Sequence, residues 1–238
     1  MDNSIIDSFS KHFSIRLATT QLQKEDAYRI RYRTYVEEFG FEDKEQFSNT
    51  LEIDEYDTVA TTCIIYHNYS SKPAACIRLI SANDCELLPV EKYCKSILDT
   101  NKYDKLLLSK SSLCEASRLV VDKDFRRRHN EHLSPIGHLD GEERTYPLLS
   151  IACFLSMLIL SEMHGTPNCI AVMEPFLPRL TKRSGINFEP IGTEINYHGI
   201  RVPYLVRYED VMNNLSKELR VLLDYLRNDI QYQVNSVC

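Results

Sequence analysis

Polar and apolar residues alternate through Phe13-Ser14-Ile15-Arg16-Leu17, the two-residue period of a strand with one buried face. Over residues 24–39 the period changes. Tyr28, Tyr32, Tyr35 and Phe39 recur at spacings of four, three and four, which predicts a helix with one aromatic stripe, ended by Gly40. Arg31 lies on that stripe. An acidic loop over 42–57 leads into a β-branched run at 58–66, a turn at 67–73 and a second apolar run at 74–80, together a hairpin. Residues 81–112 are polar and mixed, with a short helix expected at 90–98 outside the main sheet. Then come a strand at 113–121, a polar loop at 129–145, an apolar helix at 146–164, a buried strand at 169–173 and a helix at 175–183 closed by Gly185. A hairpin of 188–197 with 202–208, turning at His198-Gly199, and an amphipathic helix over 209–228 complete the pattern. No linker rich in Gly, Ser or Pro divides it, so one domain is expected over 1–238, with 209–238 a C-terminal helical extension.

The strand at 113–121 breaks the apolar pattern around it. Glu115 and Arg118 stand among apolar residues, and strict alternation puts Glu115, Ser117, Leu119 and Val121 on one face, Cys114, Ala116, Arg118 and Val120 on the other. Each face then carries a charge. Burying an ion is costly unless it is paired, so such a strand belongs to a polar network or forms the wall of a cleft.

Composition narrows the class. The chain is 43% hydrophobic and 26% charged, ordinary for a globular domain, and a net charge of −6 argues against general nucleic-acid binding. The eight cysteines are scattered without a CxxC pair, the usage of small apolar residues in a reducing compartment, so a cytoplasmic location is expected. The first ten residues hold no long apolar run, which argues against a signal peptide, and the apolar stretch 146–160 is shorter than the roughly 20 residues of a membrane span. His129, His132, His138 and Asp140 lie close together but match no zinc spacing, so no metal is expected.

The order strand, helix, antiparallel strands, helix, strand, helix and closing hairpin is that of the N-acetyltransferase-like fold. That is an α/β (α+β) architecture with a mixed, mostly antiparallel sheet that splays between its fourth and fifth strands to admit an acyl-thioester arm. Within this order, Arg31-Tyr32-Arg33-Thr34-Tyr35, Phe39-Gly40-Phe41, Asp54-Glu55-Tyr56-Asp57, Cys76-Ile77-Arg78-Leu79 and Glu115-Ala116-Ser117-Arg118 resemble the successive motifs of the acyl-homoserine-lactone autoinducer synthases. Tyr35 and Phe41 depart from the phenylalanine and tryptophan usual there. The second half is more similar to a sister group, the long-chain N-acyl amino acid synthases and exosortase-associated acyltransferases. That similarity lies in the run from Ser117-Arg118-Leu119 to Arg126-Arg127-Arg128, and in Ala171-Val172-Met173-Glu174-Pro175 with Gly185-Ile186-Asn187-Phe188.

The resemblance implies transfer of a long-chain fatty acyl group from acyl carrier protein to the amino group of an amino acid or related amine. Acyl-phosphopantetheine would be the donor, with no tightly bound cofactor. The alternatives are an autoinducer synthase that uses S-adenosylmethionine and lactonises its product, and a non-catalytic acyl-binding or partner-docking module. An ammonium must lose a proton before it attacks a thioester; Glu115 is the first candidate for that base and Asp54 the second. Arg31, Tyr35, Asp57, Arg78, Ser117 and Arg118 are expected to bind the acceptor or support the site, with Arg118, turned away from Glu115, the more structural. Backbone N–H groups at a bulge near Leu119, Val120 and Val121 would face the thioester carbonyl. No Gly-rich loop for a pyrophosphate follows the strand; Lys123, Arg126, Arg127 and Arg128 are cations suited instead to an acidic carrier. The helix at 146–160 is core that can also line an acyl pocket.

Overall fold

In a computed structural model that describes residues 4–47, 49–107, 109–126 and 146–237, a helix that the pattern did not predict, Ser4–His12 (α1), precedes the expected strand Phe13–Leu17 (β1). Helix α2, Gln21–Tyr32, starts at a capping box in which Thr20 accepts from the Gln23 N–H and the Gln23 side chain reaches back to the Thr20 N–H. It does not run on to Phe39 as a regular helix. From Arg33 to Glu38 the backbone widens into a π-helical turn, which rotates the later residues off the stripe. Tyr28 and Tyr32 are buried while Phe39 is exposed, and Gly40, at a φ of +62°, ends the segment.

Strands β2, Thr61–His67, and β3, Pro73–Ser81, form the expected hairpin; β2 starts late because Glu55–Thr58 is a single 3-10 turn capped by Asp54. The mixed segment after β3 holds two helices, α3 at Pro89–Tyr93 and α4 at Thr100–Leu107. Then follow β4, Leu113–Val121, α5, Tyr146–Met163, β5, Asn168–Met173, and α6, Leu177–Lys182. The expected strand at 188–197 is only two short pieces, β6 at Glu189–Pro190 and β7 at Ile195–Asn196. Between them Gly192 presses on the Ile97 carbonyl where a Cβ would not fit. Strand β8, Ile200–Arg207, pairs with β7 across the expected His198-Gly199 turn. The last segment is two helices, α7 at Tyr208–Asn214 and α8 at Lys217–Val237. Leu215 leaves the helical region, and Ser216 Oγ restarts the chain by accepting from the Leu219 N–H.

The strand order is β1-β2-β3-β4-β5-β8-β6, with β7 on β8, and every pair is antiparallel except β4–β5. One face packs on α5 and α8, where Leu149, Phe154, Leu158, Leu222, Leu226 and Ile230 join Ile77, Leu79 and Ala116 in the main core. The other face is covered by α2 at one end and by α3 and α4 at the other. Among the described residues no helix is long and apolar enough to cross a membrane.

Two features of this frame position the site. The β4–β5 ladder runs only from Leu113↔Asn168 to Ala116↔Ala171; beyond it the strands continue to Val121 and Met173 without pairing to each other. That is the splay expected between the fourth and fifth strands. The second feature is the anchoring of α6 by Gly185, at a φ of +85° against the Asn214–Leu215 backbone, where a Cβ would fall inside van der Waals contact. Gly185→Ala is expected to cost about 2 kcal/mol or more, read from the urea midpoint, because it combines a left-handed backbone with overpacking.

Candidate active site

Reading along β3 and β4 on the α2 side, the sheet is apolar, then ionic, then apolar again. Cys76 and Val120 pack with Ala27, Ile30 and Ile64 beneath α2, while Ile80 and Leu113 pack with Leu88, Val90 and Ile170 beneath α3. Between these two clusters lie Arg78, Ser117, Arg118 and Glu115, and the loop before β2 lowers Glu52, Asp54 and Asp57 onto them. Arg31 enters from the last turn of α2.

Three guanidinium groups meet three carboxylates there. Arg31 is fully buried; its Nη1 and Nη2 donate to Asp57 Oδ1 and Oδ2 at 2.7 and 2.9 Å, and its Nε donates to Glu52 Oε2. Arg78 donates from Nε to Ser117 Oγ at 3.0 Å, and from Nη1 to Asp54 Oδ1 at 2.6 Å and Asp57 Oδ1 at 3.0 Å. Arg118 donates from Nε to Glu52 Oε1 at 3.0 Å and from Nη2 to Asp54 Oδ2 at 3.0 Å. The Asp54 and Tyr56 N–H groups complete the set by donating to Asp57 Oδ2 and Asp54 Oδ1. Every carboxylate oxygen of the three acids is therefore satisfied and the formal charges cancel, the condition under which a buried ionic network survives desolvation. Burial works against the charged form of Asp57, but the Arg31 and Arg78 guanidiniums outweigh it and hold the carboxyl down at about 2. For Arg31 too, burial is overcome by Asp57 and Glu52, and its pKa is raised.

Exposure is graded along the network. The Arg31 end is sealed, whereas the Asp54 and Arg118 side chains are 26% and 25% exposed. The open end lies where β4 and β5 part.

Arg118 reaches this network because β4 is bulged. Ser117 pairs with Arg78 and Val120 with Cys76, so Arg118 and Leu119 together stand opposite Ile77. Arg118 has a φ of +53°, a left-handed backbone that is costly for a residue with a Cβ. The bulge corrects the face assignment from strict alternation. Arg118 and Val120 share the face of Glu115 and Ser117, while Leu119 and Val121 turn to the main core. It also corrects the reading of Arg118 as turned away from Glu115, because the extra residue shifts the two-residue period by one. The irregularity falls at Arg118 and Leu119, at the edge of the expected stretch Leu119 to Val121. Tyr35 supports it: its hydroxyl donates to the Leu119 carbonyl at 3.1 Å, its ring lies 5.7 Å from the Arg118 guanidinium, and burial pushes its phenol up to about 12. Tyr35→Phe removes this one hydrogen bond, with an expected loss of about 1 kcal/mol in urea denaturation.

Glu115 sits apart from the ionic network. It pairs across the sheet with Ile80 and Ile170, is 3% exposed, and accepts the Val90 N–H at the start of α3 at 2.8 Å. Burial is the largest influence on its carboxyl and raises it to about 8, against the lowering effects of Val90 and Arg78. It lies within the paired part of β4 and β5, just short of the splay.

Two contributions were missed in the sequence. Glu52 belongs to the acidic set before β2, but only the structure shows it bridging Arg31 and Arg118. His198 reads as a turn residue, yet its ring stacks on Phe41 at 5.1 Å, Phe41 stacks on Tyr35 at 6.4 Å, and Glu42 lies 3.8 Å from His198 Nε2. The β7–β8 hairpin thereby meets the segment after α2. The expected carrier-binding cations separate: Lys123 is exposed in the turn after β4, while Arg126 pairs with Glu38 and lies over the Phe39 ring. Arg127, Arg128, His129, His132, His138 and Asp140 lie outside the described residues.

Comparison with known proteins agrees with this geometry. Residues 30–134 match the family described as acetyltransferase (GNAT) domain. No curated protein sequence is significantly similar to the chain. Among solved structures, the acyl-homoserine-lactone synthase LasI superimposes with a TM-score of 0.57 at 12% identity, covering 86% of this chain and 97% of that one. FeeM, an N-acyl amino acid synthase from uncultured soil microbes, gives 0.57 at 16% identity over 87% and 96%. BjaI, a CoA-dependent acyl-homoserine-lactone synthase solved with SAM and isopentyl-CoA, gives 0.57 at 16% identity over 92% and 89%. The splayed sheet and the matched segment define the class of fold: that of the GNAT acyltransferases. The motifs quoted from the sequence fall where this fold gathers them, which agrees with the resemblance to the autoinducer synthases and the N-acyl amino acid synthases.

Proposed function

We propose that the chain transfers a long-chain acyl group from a carrier-bound thioester to the amino group of an amino acid. The observation that carries this reading is the partly exposed Asp54–Arg118 pair beside the bulge, at the point where β4 and β5 separate. An α-amino acid is a zwitterion. A carboxylate and a guanidinium side by side at a cleft complement its ammonium and its carboxylate, and the planar fork of an arginine suits the latter. The thioester carbonyl would lie against the bulge, where the interrupted ladder supplies backbone donors to a developing oxyanion.

In this mechanism Asp54 and Arg118 orient the acceptor, and Arg31, Arg78, Glu52 and Asp57 hold that pair from behind. Glu115 takes the proton of the attacking ammonium, directly or through a water. The nitrogen then forms its bond to the acyl carbon, the C–S bond breaks, and the thiol of the phosphopantetheine leaves with a proton. A carboxyl raised to about 8 suits this role, since a base works best when its pKa lies near the working pH.

The second reading, an autoinducer synthase acting on S-adenosylmethionine, draws on the ordered motifs Arg31 to Tyr35, Asp54 to Asp57 and Glu115 to Arg118; the same zwitterion site would hold the methionine end. The test is incubation of the purified chain with long-chain acyl carrier protein and, in turn, mixed amino acids and S-adenosylmethionine, with products read by mass spectrometry. An N-acyl amino acid with a free carboxylate is the expected product. Lactone with methylthioadenosine establishes the second reading, and no transfer from any donor to any amine leaves an acyl-binding module.

A further inference from the structure

We propose that Glu91 is a positioning residue for Glu115: a second buried carboxylate, set at the same end of α3 and clamped by Lys110, that strengthens Glu115 as the base for the acceptor ammonium. The inference deepens the acyl transfer proposed above and rests on Glu115 as its base. It brings in two residues that no sequence motif singled out.

The two carboxylates are neighbours because one helix start serves both. The Leu88 N–H donates to Glu91 Oε2 at 2.7 Å, and the Val90 N–H, two residues on, donates to Glu115 Oε2 at 2.8 Å. At the first turn of a helix the free N–H groups point out along one axis, so acids accepting from residues 88 and 90 are drawn to the same spot. Pro89 between them has no N–H to offer. Both acids are sealed, Glu115 at 3% exposure and Glu91 at 9%. Ile80, Leu88, Val90, Leu113 and Ile170 make the surroundings apolar, where a charge acts more strongly on its neighbour than it would in water.

The two acids are not equivalent. Lys110, in the turn that leads into β4, places Nζ 3.3 Å from Glu91 Oε2 and donates to the Glu86 carbonyl at 2.7 Å. Among the described residues Glu115 forms no ion pair, and its hydrogen bond comes from the neutral Val90 amide. When two buried carboxylates share a site and only one has a cation beside it, that one carries the charge and the other keeps a proton.

The remaining groups that face Glu115 oppose this effect or are neutral. Burial is the largest influence on its carboxyl. Glu91 pushes the same way, against the Val90 N–H, Arg78 from β3 and Arg118 from β4. Tyr56 from the turn before β2, Tyr103 from α4, Cys94 after α3 and Cys85 after β3 have their own pKa values raised by burial and stay uncharged. Cys114 and Cys169 lie on the opposite face of the sheet, in the main core.

The test titrates Glu115 and the reaction together, in wild type, Glu91→Gln and Lys110→Met. Gln keeps an oxygen that accepts the Leu88 N–H, so the cap survives and only the charge is removed. Infrared carboxyl bands, with that of Glu115 identified by its loss in Glu115→Gln, give its midpoint; steady-state rates from pH 5 to 10 give the profile. Glu91→Gln is expected to lower both midpoints by about one pH unit and to reduce the plateau rate modestly, since a weaker base is a slower one. Lys110→Met leaves the Glu91 charge uncompensated and should move both midpoints up. KM for donor and acceptor should not change in either variant. Midpoints that stay put, or that move the same way in both variants, overturn the proposal whatever happens to stability. If Glu91→Gln does not fold, Lys110→Met decides alone. An infrared midpoint that moves while the rate profile does not removes Glu115 as the base, and the role of Glu91 with it. Failure of the wild type to transfer from any donor overturns the acyl-transfer reading itself, whereas the infrared midpoints still decide whether Glu91 governs Glu115.

Discussion

Glu115→Gln is expected to lower the acyl-transfer rate by about 10²- to 10⁴-fold, the range for loss of a positioned general base. The fold should survive it. Near neutral pH the wild-type carboxyl, raised to about 8, is mostly protonated, so the amide replaces a neutral group of the same shape and its oxygen can still accept the Val90 N–H. The two pH dependences run in opposite directions. The wild-type rate should rise with pH and level off above about 8, because the mechanism proposed above uses the carboxylate form. Stability moves the other way: folding raises this pKa from 4.5, so the native chain keeps a proton that the unfolded chain releases. Its contribution is full below 4.5 and declines as pH rises through about 8, and the Gln variant, lacking this titration, gains on the wild type over the same window. Steady-state rates and urea midpoints measured from pH 5 to 9 check both limbs. A Gln variant with the wild-type rate would remove Glu115 from the mechanism.

Arg31→Ala is expected to destabilise the chain by about 3–5 kcal/mol, the cost of leaving buried carboxylates without their partner. Arg31 is completely buried and serves Glu52 and Asp57 at once, so its loss strands two charges. Arg31→Lys should rescue only part of this. A single ammonium cannot reproduce the bidentate bond to both Asp57 oxygens while also serving Glu52. The acid limb has a definite sign. Asp57 is held at about 2 against 3.8, so its stabilisation is present above 3.8 and is lost as pH falls through about 2. Asp57→Asn should flatten that limb, and urea denaturation between pH 2 and 6 measures it.

The largest gap between the expected and the observed site comes from one residue, Arg118. Alternation predicted that Arg118 faces away from Glu115, and this failed because nothing local marks the bulge. A left-handed residue in a strand is usually Gly, and here it is an arginine whose conformation is maintained by Glu52, Asp54 and Tyr35. The partners that stabilise the bulge come from the π-helical turn after α2 and from the loop before β2, distant in the chain. The same holds for His198, whose turn was legible but whose stacking on Phe41 depends on where the hairpin lands. The extra break at Leu215 was in principle visible in Ser216, a residue suited to capping, but the amphipathic pattern runs through it.

The sequence by itself determined the order of the main strands with α2, α5 and α6 between them, the bounds of β1 and β4, the aromatic stripe that buries Arg31, and the set of acids and arginines from which the site is made. These follow from periods of two and of 3.6 residues, which local side chains dictate. Only the tertiary structure decided which arginine meets which acid, that Glu52 bridges two of them, and that Glu115 is sealed beside Ile80 and Ile170, apart from the ionic network. Each of these depends on contacts between residues far apart in the chain, and a buried charge takes its properties from whatever the fold brings against it.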